Sequence, residues 1–193
     1  MRISFSVMIA GIALSALACD SPFQPAARAA NVLPGTSLSA ASNDVVALAT
    51  GGGHYLLAAT YDARFAFSAS AKADGSASGE FHQFVQFETG TFDVTGEVTC
   101  LTVDPANGRA WIGGKVKENR STDPDYIVPI TAPGQDVWFR VLDAGEGGAS
   151  VDRTTFYGFV GSFASSAEYC AAQSWPADNA RTYPVTAGNI QVR

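Results

Sequence analysis

The 193-residue sequence is short of the residues that most chemistry needs. It has two histidines and three cysteines, and neither type stands at zinc-ligand spacing. No serine sits in a G-x-S-x-G elbow, and no G-K-[ST] follows the Gly51-Gly52-Gly53 run, so that run is not a phosphate loop. Basic clusters are also missing. Twelve lysines and arginines face eighteen acids, for a net charge of −6, which argues against a nucleic-acid partner. The uncharged run near the N-terminus, Ile3 to Ala18, is short of the about 20 apolar residues that cross a bilayer as a helix. No repeat of solenoid period is present.

What is present begins at the N-terminus. Arg2 is followed by an uncharged run from Ile3 to Ala18, which ends in small residues. This is the pattern of a secretory signal, and residues 1–18 are expected to be one. Ala16-Leu17-Ala18 fits an ordinary signal-peptidase site. Ala16-Leu17-Ala18-Cys19 also resembles the lipobox of bacterial lipoproteins, with its leucine one place nearer the cysteine than the preferred pattern. Cysteine counting favours the second reading. An exported chain meets an oxidising compartment, and an odd cysteine there needs an explanation. Cys100 and Cys170 are expected to form a disulfide and Cys19 to carry lipid; the alternative is a secreted protein with a free terminal thiol. The expected location is extracytoplasmic, either membrane-anchored at the cell envelope or secreted. The membrane is thus the one partner the sequence suggests directly.

Residues 19–44 are rich in Ala, Ser and Pro without apolar periodicity, and read as a flexible tether. Residues 45–193 read as one antiparallel β domain, a sandwich or a barrel built from hairpins, with at most one short helix at 165–175. Phe65 and Phe67 alternate with small residues, Asp74-Gly75 marks a turn, and Phe81, Val85 and Phe87 return on one face, so 63–88 is a long hairpin. TFDVTGEVTCLTV and AWIGGKVKE form a second hairpin around Pro105–Gly108. Gly113-Gly114 within it predicts a bulge or a close backbone approach. Further strands are expected at 54–62, in DVWFRVLD, in FYGFVGSF and at 189–192.

Candidate sites are few. No catalytic residue is assigned, and His82 reads as a strand residue. No cofactor is expected except calcium. For it, Asp143, Glu146 and Asp152 on the glycine-rich loop DAGEGGASVD are candidate ligands, with Ser121–Asp125 a weaker second. That loop lacks EF-hand spacing, and solvated carboxylates are the alternative. Trp111 and Trp138 fall on the strand faces opposite Ile112 and Phe139. They form either an exposed binding surface or a second core under loops or a helix. With Trp175, Tyr126 and Tyr157 they are also candidates to line a pocket.

The run TFDVTGEVTCLTVDPANGRAWIGGKV, followed by FRVLDAGEG, resembles an uncharacterised group of exported bacterial β-rich proteins. The resemblance brings no activity. It implies that Cys100, Gly113, Gly114 and the Asp143–Gly147 loop belong to a shared scaffold. The expectation is a lipid-anchored, non-enzymatic binding or structural module of the envelope, with an unidentified protein or small molecule as ligand. The alternatives are an envelope enzyme with its site in a barrel mouth and a carrier of small hydrophobic ligands.

Overall fold

The computed structural model describes residues 44–146, 150–159 and 161–193. The signal segment, Cys19 and the tether up to Asn43 lie outside the described residues, as do Gly147 and Gly148 of the DAGEGGASVD loop. Eight strands form a closed barrel in which every neighbour is antiparallel and consecutive in sequence: β1 (Val45–Leu57), β2 (Tyr61–Lys72), β3 (Ala77–Gln86), β4 (Thr91–Asp104), β5 (Arg109–Asn119), β6 (Asp136–Leu142), β7 (Arg153–Thr155) and β8 (Thr182–Val192). Pairing of β8 with β1 closes the ring. Among the described residues there is one α-helix, α1 (Ser166–Ala172), within the expected 165–175 segment. The fold is all-β, and of the two architectures the sequence allowed it takes the barrel.

Alternation builds the interior. Phe65, Phe67, Phe81, Val85, Phe92, Val94, Ile112, Val137, Phe139, Val141 and Ile190 are all buried in one cluster. Phe139 meets both Phe67 and Phe81 edge-on across the barrel, at 5.4 and 5.7 Å between ring centroids. Side chains fill the centre, as in other small barrels.

Three strand boundaries differ from expectation. The expected 54–62 strand is two strands, because Ala58 and Ala59 take left-handed backbone (φ 51° and 59°) and turn the chain. The last strand starts at Thr182 rather than Asn189. FYGFVGSF is not a strand; β7 ends before it, and only a single bridge, Trp138 to Gly158, continues the pairing. The reason lies in its side chains. Phe156 and Tyr157 are consecutive, yet both pack against Phe92, at 4.7 and 6.1 Å between centroids. A strand sends successive side chains to opposite faces and cannot do this.

The Gly113-Gly114 expectation resolves as close approach. A Cβ on Gly113 would stand 2.7 Å from Cys100 Sγ and 2.8 Å from Ser166 Cβ, so only glycine lets α1 seat against β5. The pair also faces a bulge: β4 carries an extra residue, Thr99, between the partners of Gly114 and Gly113, and β5 carries one, Lys117, opposite Thr95–Gly96.

Candidate functional site

Trp111 and Trp138 do project outward from β5 and β6, but they are not an exposed surface. They are 3% and 6% exposed, covered by α1 through Tyr169 and Cys170, with Phe163 and Trp175 packed around them. Of the two readings the second core is the one found, and it has a clear cause: two outward indoles on adjacent strands form an apolar patch, and the chain folds a helix over it. Trp111 Nε1 donates to the Ser174 carbonyl at 2.9 Å, and Trp138 stacks on Tyr169 at 5.7 Å. The disulfide Cys100–Cys170 ties α1 to β4. Asp136 fixes the start of the helix, accepting from both the N–H and the hydroxyl of Ser166 at 2.9 and 2.7 Å.

The candidate calcium ligands serve the ladder. Arg193 and Leu48 exchange both backbone hydrogen bonds, so by alternation the N–H groups of Ile190 and Val192 point away from β1. β7 is three residues long and does not reach them. Asp152 accepts from Ile190 N at 2.6 Å and Asp143 from Val192 N at 3.0 Å, replacing the missing strand. Their other oxygens accept from Ala144 N and Gly145 N within the loop, and Glu146 accepts from the Asn189 amide at 3.4 Å. Among the described residues no group of three His, Cys, Asp or Glu side chains could hold a metal ion. In the second acidic segment, Asp123 is buried and accepts from Asp125 N and from the Thr89 hydroxyl.

His82 lies on the outer face of the sheet, its Nε2 2.8 Å from Asp93 Oδ1, and Arg120 shares the same carboxylate. It borders a shallow groove of about 570 Å³, where Lys117 pairs with Glu80 and Glu97. The charges there satisfy one another.

A second cleft, of about 490 Å³, has a different character. It lies at the seam where β7 stops and the 156–163 segment takes over. Trp138, Phe163 and Tyr169 form one wall, buried Tyr157 and half-buried Tyr183 the floor, and Arg140 and Arg181 the rim. Gln83 positions the floor. This glutamine is fully buried inside the barrel; its amide donates to the Thr155 carbonyl at 3.3 Å and accepts from Tyr157 N at 3.0 Å. Those two backbone groups are where the ladder of β7 ends, and the side chain takes the ladder's place.

The electrostatics of the cleft follow from burial. Tyr157 is held far above the ordinary phenol range by desolvation, and so is Tyr55, which stacks on Tyr183 at 5.3 Å. The Tyr55 hydroxyl is buried beside the Gln83 side chain. Burial also raises Tyr169, and the neighbouring Arg140 draws it partly back. These phenols stay protonated at neutral pH and serve as walls and donors rather than bases. Arg140 donates to the Ala180 carbonyl at 2.6 Å and lies over the Trp175 ring, while its Nε is buried and unpartnered.

Of the residues expected to line a pocket, Trp138 and Tyr157 do so here. Trp111 and Trp175 belong to the core beneath α1, and Tyr126 packs on Phe87 and Phe92 at the barrel end. Arg140, Arg181, Tyr169 and Tyr183 were not singled out from sequence. The available signal was the aromatic density of FYGFVGSF, which pattern reading assigns to a strand. Comparison with protein-family models, with curated proteins and with solved structures found no match.

Proposed function

We propose that this is an exported, lipid-anchored module of the cell envelope that binds a small ligand in the seam cleft without transforming it. One observation carries the reading: an aromatic cleft at the seam, with two arginines at its rim and no carboxylate in its lining. Its volume falls in the range of small-molecule pockets, about 300–1,000 Å³. The barrel centre, by contrast, is packed with side chains. The lipid anchor rests on the lipobox-like Ala16–Cys19 and on the pairing of Cys100 with Cys170, which leaves Cys19 as the odd cysteine.

The test is a native mass spectrum of the protein taken from its own host's envelope. The expected mass is the chain from Cys19 plus acyl groups, less two hydrogens, with a further small-molecule mass lost on denaturation. An unacylated chain would remove the anchor, and a bare polypeptide would count against a retained ligand. A second reading, an envelope enzyme, is favoured by the His82–Asp93 pair, a carboxylate orienting an imidazole. It predicts that His82→Gln abolishes an activity found by screening envelope substrates.

A further inference from the structure

Resting on the reading that the seam cleft is the binding site, we infer that its ligand is a small aromatic carboxylate. Arg64, Lys115, Lys117 and Arg120 each face a carboxylate within 4.0 Å. Lys72, Arg109, Arg140, Arg153, Arg181 and Arg193 have no such partner among the described residues, and of these only Arg140 and Arg181 line the cleft. Arg140 is half-buried, and its hydrogen-bonded neighbours are a carbonyl and a phenol, both neutral. Arg109 is a further cation over the same indole, 5.0 Å from the Trp175 centroid against 5.3 Å for Arg140. A partly desolvated guanidinium is costly unless an anion pairs with it. This region therefore concentrates positive charge that the chain itself does not neutralise.

The rest of the lining selects among anions. Phosphate or sulfate would meet the arginines but leave the half-buried rings of Phe156, Phe159, Phe163 and Tyr183 in water. A neutral ring would fill the walls and leave the guanidiniums unpaired. A carboxylate on a ring does both: the carboxylate accepts from Arg181 and Arg140 at the rim, and the ring enters between the aromatic walls.

Phenylacetate, its neutral near-isostere phenylacetamide, and acetate test this by calorimetry and tryptophan fluorescence on the purified full-length chain. The expected result is phenylacetate binding at least about tenfold tighter than either of the others, with affinity falling as salt rises. Arg181 is exposed and makes no hydrogen bond or ion pair among the described residues, so Arg181→Glu should fold. That variant should lose at least about tenfold for phenylacetate and nothing for phenylacetamide. Equal affinity for acid and amide would overturn the charge recognition and leave the cleft as a binding site. Acetate binding as tightly as phenylacetate would overturn the recognition of a ring. Failure of all three probes to bind would overturn both this inference and the reading it rests on.

Discussion

Gln83 shows what one residue can decide. Period-two reading places it on the inward face with Phe81 and Val85, and nothing in the sequence distinguishes it from a glutamine on a solvated edge. Its role appears only when residue 83 is set against residues 155 and 157, which are brought there by barrel closure. Gln83→Leu keeps the volume and removes both hydrogen bonds, leaving the Tyr157 N–H buried without a partner and the Thr155 carbonyl with only a long bond from the Thr154 hydroxyl. The expected loss is about 2–4 kcal/mol, from one to two unsatisfied buried groups. Denaturant unfolding measures it. Hydrogen exchange should show the loss of protection centred on 155–159 rather than spread over the barrel. A uniform loss would make Gln83 an ordinary core residue. The same long-range dependence explains Asp143 and Asp152: their loop was visible in the sequence, but the unpaired N–H groups of β8 that they satisfy were not.

Among the elements, the long hairpins were legible because alternation and turn chemistry agree there. Asp74-Gly75 turns β2 into β3, and Pro105–Gly108 turns β4 into β5. The FYGFVGSF segment was misread because aromatic content imitates a strand while consecutive rings pack to one side. The sequence allows helix α1 and allows a second core over Trp111 and Trp138, but it does not join this helix to these indoles, since neither its seven residues nor the two indoles specify each other locally. Asp136 holds that arrangement. Burial pushes its carboxyl upward, but Lys115 at 2.7 Å together with the Ser166 N–H and hydroxyl outweighs this, and the pKa ends below the ordinary value. A carboxylate depressed in the folded state adds stability that is complete above the unfolded pKa near 4. That stability is lost as pH falls through the lower folded value. Asp136→Asn should therefore cost about 1–2 kcal/mol at pH 7, reduced from a fully buried charged pair because Lys115 is half exposed. The difference from wild type should shrink as pH drops below about 4. Urea midpoints at pH 7, 4 and 3 give both quantities, and a gap that widens in acid would contradict this role for Asp136.

At the scale of the whole molecule, the disulfide joins the fold, the cleft and the compartment. It links β4 to α1 across 70 residues of sequence, and α1 supplies Tyr169 to the cleft wall while covering the tryptophans. In the chain-entropy model a cross-link of that span contributes about 4 kcal/mol, a mechanism that calorimetry disputes. For a domain of this size that corresponds to roughly 8–16 °C in midpoint. Reduction, or the Cys170→Ser variant, should lower thermal stability on that scale. Helix α1 has only seven residues, too few to hold its shape without packing. It should therefore loosen before the barrel opens: tryptophan emission should shift red in reductant at temperatures where far-ultraviolet dichroism still reports an intact sheet. The cleft should weaken over the same interval, since Tyr169 leaves with the helix. If tryptophan emission and the sheet signal were lost together, α1 and the barrel would form one cooperative unit, and the disulfide would stabilise the whole rather than the lid over its two indoles.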